Sequence, residues 1–121
     1  MNDIQCKKIG KIQHVSYGFG GYQGAMFGIS FTLGSDKEGW GVGDFWGFWG
    51  SNIECSENAK WTEEERIKFH GENALRISKL MIEAKVEDVK DLKDIPVEVT
   101  FDDPGYLGSK LKEWRILTEV L

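Results

Sequence analysis

Residues 26–46 read MFGISFTLGSDKEGWGVGDFW, and this stretch decides the fold class. In its first part, large apolar residues alternate with small or polar ones, which is the period of a β-strand with one buried face. Residues 34–36 (GSD) have the composition of a turn. A second strand is predicted from Trp40 to Trp46, so the stretch favours a hairpin. The predicted buried face of its first strand carries Phe27, Ile29, Phe31 and Leu33.

Three further strands are predicted outside this hairpin, at Lys7–Tyr17, Pro96–Phe101 and Leu111–Val120. Each alternates between apolar and polar positions. The residues predicted to share one face in each strand are Ile9, Val15 and Tyr17 in the first, Val97, Val99 and Phe101 in the second, and Trp114, Ile116 and Val120 in the third. Strands that precede and follow the helical segments favour an α+β fold, with an antiparallel or mixed sheet of about five to six strands.

The helical part lies between these groups of strands. Thr62 and Glu65 match a capping box, which predicts that the main helix begins at Thr62. Apolar residues at helical spacing predict its buried stripe, made of Ile67, Ala74, Ile77, Met81 and Ala84. A short second helix is predicted over residues 86–92. We expect one domain, residues 1–121, with one long and one short helix packed on one face of the sheet.

Composition and charge exclude several classes of protein. The net charge of −5 disfavours a DNA- or RNA-binding protein, whose affinity would depend on a basic face, but a small anionic ligand is still compatible with it. No stretch predicts a signal peptide or a membrane span, so we expect a cytosolic protein. Cys6 and Cys55 are far apart in sequence and predict no disulfide in a reducing compartment. Together with His14 and His70 they give no metal-ligand spacing, and no cofactor is expected.

A glycine-rich aromatic block spans residues 17–26 (YGFGGYQGAM) and 39–50 (GWGVGDFWGFWG). Glycine within a strand marks a bulge, a bend or a close approach to the backbone. Flat aromatic walls separated by open backbone suit a planar polar ligand such as adenine. The same pattern also suits the core of a curved sheet or a dimer surface, and the sequence leaves both interpretations open.

Motifs that would indicate catalysis are absent from this sequence. There is no GxGxxG, Walker loop, nucleophile elbow or HExxH. Asp44 is the one acid within the aromatic block, where it could bind a ribose or an adenine or cap a turn. Arg66 and Arg76 lie among acids on the predicted helix, which favours solvated ion pairs. Arg115 lies mid-strand and needs either an acid such as Glu98 or a ligand phosphate.

Several of these segments together resemble the Thoeris anti-defence protein 1 family of phages. The most specific are GYQGAMFG (residues 21–28), GWGVGDFWG (39–47) and EWRILTEVL (113–121), and the resemblance covers nearly the whole chain in the same order. It implies a protein that is not an enzyme and that acts in the cytoplasm of the infected bacterial host. Such proteins capture the glycocyclic ADP-ribose signal made by a TIR-domain enzyme, without degrading it, and so keep the defence effector inactive.

The resemblance also implies partners and a site. Family members are dimers or higher assemblies, and some bind the cyclic di- or trinucleotides of CBASS defence at separate sites, a property the resemblance does not assign to this chain. On this basis the predicted walls are Tyr22, Phe45, Trp46 and Phe101, the phosphate contact is Arg115, and the further polar contacts are Gln23, Asp44 and Asn73. The alternatives are a protein–protein interaction module and a cyclic-nucleotide hydrolase.

Overall fold

The structure is a computed structural model that describes residues 6–102 and 110–121. Its strands and α-helix are β1 (Cys6–Gly20), β2 (Met26–Ser35), β3 (Trp40–Trp49), α1 (Glu63–Ala84), β4 (Pro96–Phe101) and β5 (Leu111–Ile116). Single 3₁₀ turns lie at Tyr22–Gly24, Val89–Leu92 and Thr118–Val120. Most of the predicted loop from Asp102 to Ser109 lies outside the described residues.

The strands form one antiparallel sheet in the order β3-β2-β1-β4-β5. The predicted hairpin is confirmed, because β2 and β3 pair without interruption from Met26 opposite Trp49 to Ser35 opposite Trp40. The α+β class predicted from the sequence is therefore confirmed, with five strands in the described part of the chain. No helix within residues 6–102 and 110–121 is long and apolar enough to cross a membrane.

The hydrophobic core lies between the sheet and α1. Its fully buried side chains come from β1, β2, β4, β5 and the turn before β4: Ile12, Ile29, Leu33, Leu92, Val97, Val99 and Ile116. From the helix, Ile77, Leu80 and Ala84 pack against them. Each large aliphatic side chain buried in this way contributes about 1.5–3 kcal/mol. The predicted inward face of β4 is confirmed by this burial, and that of β2 is confirmed for Ile29, Phe31 and Leu33, whereas Phe27 is only partly buried.

Helix α1 begins as predicted but is rotated relative to the predicted stripe. The backbone N–H of Glu65 donates to Thr62 Oγ1 at 3.1 Å, so the N-cap is confirmed. Ile77 and Ala84 are buried, but the prediction was wrong for Ile67, which is 73% exposed, and for Ala74, which is also exposed. The reason for the rotation is that Arg66, and not its neighbour Ile67, occupies the inward position.

Three other predictions need correction. A β-bulge between Ile12 and His14 shifts the register of β1, so Ile9 lies on the opposite face from Val15 and Tyr17 and is 54% exposed. The last strand ends at Ile116, and the 3₁₀ turn after it leaves Val120 exposed. The predicted second helix is only partly present, as one 3₁₀ turn from Val89 to Leu92. Cys6 and Cys55 are both free thiols.

Candidate ligand-binding site

The two edges of the sheet approach each other because the sheet is strongly curled. Strands β3 and β5 are at opposite ends of the strand order, yet the rings of Trp46 and Trp114 stack with centroids 5.6 Å apart and planes 22° apart. Phe31, on β2, meets both rings edge-on with centroids 4.9 Å away. These three rings close the concave side of the sheet where β3 and β5 meet.

Asp44 holds the two indole rings in place. Its Oδ2 accepts a hydrogen bond from Trp46 Nε1 at 2.9 Å and another from Trp114 Nε1 at 2.7 Å. Its Oδ1 accepts from the backbone N–H of Phe45 at 2.9 Å. Three donors therefore compensate one carboxylate, and a hydrogen bond to a charged group contributes about 1.5–3 kcal/mol. The acid that the sequence placed within the aromatic block thus ties one edge strand to the other.

Arg76 lies over the ring of Trp46 at this junction. The guanidinium carbon of Arg76 is 3.7 Å from the centroid of the indole ring, a cation–π contact. Trp46 itself is only 8% exposed, so its ring serves as a support and not as an open wall. Within residues 6–102 and 110–121, no carboxylate forms a salt bridge with Arg76.

Two clefts open beside Arg76. The first has a volume of about 290 Å³ and lies between β3 and α1; its lining is Phe45, Trp46, Gly47, Phe48, Phe69, Glu72, Asn73 and Arg76. The second has a volume of about 300 Å³ and lies between β3 and β5; its lining is Asp44, Phe45, Trp46, Arg76, Leu111, Lys112, Glu113 and Trp114. Because Phe45, Trp46 and Arg76 line both, the two clefts adjoin.

Two side chains of α1 fix the geometry of the first cleft. Asn73 Nδ2 donates to the backbone carbonyl of Trp46 at 2.7 Å. One turn earlier, a ring nitrogen of His70 bonds the carbonyl of Trp49 at 2.8 Å. These contacts fasten the helix along β3, so the cleft between them is formed before any ligand binds.

The structure brings together half of the residues predicted from the sequence. Phe45, Trp46 and Asn73 line the first cleft, and Asp44 lines the second. Two of the other predicted residues, the wall residues Tyr22 and Phe101, lie elsewhere, and so does the predicted polar contact Gln23. Tyr22 and Gln23 are exposed in the 3₁₀ turn after β1, and Phe101 is buried with its ring 5.8 Å from that of Trp40.

Arg115, the predicted phosphate contact, lines neither of the two clefts. Its guanidinium bonds Glu119 at 3.1 Å and Glu98 at 3.2 Å, and these two carboxylates raise its pKa. Of the two partners that the sequence left open for Arg115, an acid such as Glu98 or a ligand phosphate, the structure shows the acid. The arginine that lines both clefts is Arg76, which was not among the residues predicted for the site because a solvated ion pair was expected for it. One signal could have indicated it: Arg76 lies three residues after Asn73 and therefore near it on the helix surface.

The described residues at the junction limit its chemistry. Within the described residues, no three His, Cys, Asp or Glu side chains are placed to hold a metal ion. No family model, curated protein or solved structure matches this chain. The clefts contain the guanidinium of Arg76 and several aromatic rings, which can bind and orient an anionic aromatic molecule. The helix that carries Arg76 is held in position by the contact of Asn73 with β3.

Proposed function

We propose that the protein binds and sequesters a cyclic ADP-ribose isomer without degrading it, in the cytoplasm of an infected bacterial host. The observation that carries this proposal is the position of Arg76, over the ring of Trp46 and between two adjoining clefts. The choice of ligand rests on the resemblance of the sequence to the Thoeris anti-defence family. In this role the protein removes glycocyclic ADP-ribose and so prevents activation of the defence effector.

A stacked arginine is well suited to bind a diphosphate. The guanidinium offers parallel N–H donors to two phosphate oxygens, an arrangement that a lysine cannot reproduce. Since the ring of Trp46 already restricts Arg76, less side-chain freedom is lost when a ligand binds. Lys112 lines the same second cleft and adds positive charge. We therefore place the phosphates in the second cleft, between Arg76 and Lys112.

The first cleft is suited to the adenine. Phe48 and Phe69 line it, and their rings lie against each other with centroids 4.8 Å apart. Stacking a base on an aromatic ring contributes about 1–3 kcal/mol. Single small-molecule sites usually measure about 300–1,000 Å³, and each cleft alone is at or just below the lower limit. A compact ligand that spans both clefts, with its base in one and its phosphates in the other, fits this division.

Acidic side chains near the junction set a limit on the ligand. Glu72 lines the first cleft and Glu113 the second. The charge of Asp44 is compensated by its three donors, so it repels phosphate less than these two glutamates do. A ligand with a single diphosphate therefore matches the available positive charge better than a polymer with many phosphates.

The direct test is recovery of the ligand. The protein is mixed with glycocyclic ADP-ribose and filtered to remove free ligand, and the retained complex is denatured by heat. We expect chromatography to show release of the intact molecule. A converted product would indicate a cyclic-nucleotide hydrolase, and absence of retention would contradict the proposal. Arg76→Lys provides a matched variant, since it keeps the positive charge but loses the parallel N–H donors of the guanidinium.

A second candidate function, a protein–protein interaction module, is favoured by one exposed aromatic patch. Tyr17 and Phe19 are 48% and 57% exposed and meet Phe27 edge-on. Aromatic residues are enriched where proteins bind one another. Under this alternative, no cyclic nucleotide raises the melting temperature, and a Phe19→Ser substitution weakens capture of the partner protein.

A further inference from the structure

The second cleft of the candidate site lies between strands that are not paired with each other. Strands β3 and β5 are at opposite ends of the strand order, and each pairs with one neighbour, β2 or β4. Within residues 6–102 and 110–121, one side-chain hydrogen bond and one pair of stacked rings join them. The bond runs from Trp114 Nε1 to Asp44 Oδ2, at 2.7 Å, and the stack is that of Trp114 on Trp46. Both contacts belong to Trp114, so one side chain holds β5 against β3.

The side chain of Trp114 is half-buried, and the residue borders two open spaces. One is the second cleft, of about 300 Å³, and the other is a smaller cleft of about 180 Å³ whose lining includes Lys7 and Arg115. Protein interiors are close-packed, with few voids larger than a water molecule. Packing therefore restrains Trp114 less than it restrains a core residue, and the ring has room to turn away from Asp44.

Asp44 keeps other donors when Trp114 is released. Its Oδ2 retains the hydrogen bond from Trp46 Nε1, and its Oδ1 retains the one from the backbone N–H of Phe45, each at 2.9 Å. Asp44 also lines the second cleft, so water can replace the lost donor. A carboxylate left buried without donors would be costly, but this one loses a single donor of three. An open form is therefore accessible in which Arg76 keeps its support on Trp46.

We propose that Trp114 is a latch on the second cleft. Its release from Asp44 lets β5 move away from β3 and admits the ligand, and its return closes the cleft over the phosphates. Lys112 lies two residues before Trp114 on β5 and lines the same cleft, so its charge moves with the latch. Helix α1 is the fixed side, because Asn73 and His70 fasten it to β3. The latch rests on the proposed function, since it controls access to the same site.

Hydrogen exchange on the ligand-free protein tests whether the latch exists. Trp114→Phe keeps an aromatic ring and removes the donor to Asp44. The backbone amides of β5 should then exchange at least about tenfold faster, as expected when one hydrogen bond to a carboxylate is lost. Trp40→Phe is the matched control, because Trp40 Nε1 has no hydrogen-bond partner among the described residues, and it should leave β5 unchanged. Circular dichroism confirms that each variant is folded. Equal exchange of β5 in the wild type and Trp114→Phe would overturn the proposal.

Release kinetics test whether the latch retains the ligand. When glycocyclic ADP-ribose is bound, the amides of β5 in the wild type should exchange at least about tenfold more slowly than in the free protein, a test that needs no substitution. In stopped-flow fluorescence, Trp114→Phe should release the ligand at least about tenfold faster than the wild type or Trp40→Phe, with little change in the association rate. Absence of binding by the wild type would refute the proposed function and the latch together. Binding with equal release rates in the wild type and Trp114→Phe would refute the latch alone.

Discussion

Trp46 and Trp114 donate their indole N–H groups to the same oxygen of Asp44, although the two tryptophans lie on opposite edge strands of the sheet. The shared acceptor holds the rings in a stack, and the stack brings the edges of the sheet together. Arg76 lies on the ring of Trp46 and depends on this support. The carboxylate of Asp44 therefore holds the two edges of the sheet together and, through Trp46, positions Arg76 in the candidate site.

Removing the charge of Asp44 should destabilise the fold. In Asp44→Asn the amide group cannot accept both indole donors and the backbone donor, so at least one buried N–H loses its partner. We expect the free energy of unfolding to fall by about 1.5–3 kcal/mol. Urea unfolding followed by tryptophan fluorescence measures this change. Asp91→Asn, at an exposed aspartate, is the control, and equal effects of the two substitutions would contradict the assigned role.

Replacing Arg66 should lower the free energy of unfolding more than replacing Arg115. Arg66 is 8% exposed, donates to the carbonyl of Gly50 and lies over the ring of Trp61. Arg66→Met leaves that carbonyl without its charged donor, and we expect a loss of about 1.5–3 kcal/mol. Arg115→Met breaks only exposed ion pairs, which solvent screens and which contribute little to stability. Thermal unfolding compares the two variants, and a larger effect at Arg115 would refute this ranking.

Two glycines of the hairpin should respond in opposite ways to alanine. A Cβ at Gly28 would overlap the carbonyl oxygen of Trp46 and come within 2.6 Å of Gly47 Cα, so Gly28→Ala should cost about 1–3 kcal/mol. At Gly43 the nearest atom is 3.7 Å away, an ordinary contact. Gly43→Ala should be neutral or stabilise the protein by up to about 1 kcal/mol. Melting temperatures that fall equally in both variants would show that the backbones of β2 and β3 lie farther apart at Gly28 than described.

The ion pair between Lys11 and Asp94 should make stability depend on pH. Lys11 Nζ is 2.9 Å from Asp94 Oδ1, and its hydrogen bond lowers the pKa of Asp94 below the ordinary value of 3.8. A lowered carboxyl pKa stabilises the folded state above that ordinary value, and this contribution is lost as the pH falls through the lowered pKa.

Asp94→Asn isolates this contribution. Asparagine tolerates the backbone φ of 71° at this position, so the substitution removes the charge without adding strain. The variant should melt at a lower temperature than the wild type at neutral pH, and the difference should shrink to zero at acid pH, below both pKa values. A difference that persists unchanged in acid would rule out the ion pair as its cause.

Short-range patterns made much of the fold predictable. Alternation identified β2 and β4, and the Thr62 cap identified the start of α1. The rotation of α1 could not be predicted, because only the tertiary contacts of Arg66 turn Ile67 outward. The bulge in β1 could not be predicted either, because no distinct sequence signal marks it. One additional residue moves every later side chain of the strand to the opposite face of the sheet.

The candidate site was predictable only in part. Aromatic residues of β3 and Asp44 were identified because glycines separate them in one continuous stretch. The contact between Arg76 and Trp46 joins residues far apart in sequence, so no local pattern contains it. Arg115 was chosen because it lies mid-strand, and the sequence left open whether Glu98 or a ligand pairs with it; the β4–β5 register places Glu98 directly opposite.

Calorimetric titration with glycocyclic ADP-ribose tests the central claim most directly. We predict nanomolar affinity for the wild type and a loss of about 10- to 100-fold in Arg76→Ala, which corresponds to one or two charge-assisted hydrogen bonds. Arg115→Ala should bind within about twofold of the wild type, because Arg115 lies outside both clefts. No measurable binding by the wild type, or a loss in Arg115→Ala that Arg76→Ala does not show, would contradict the account.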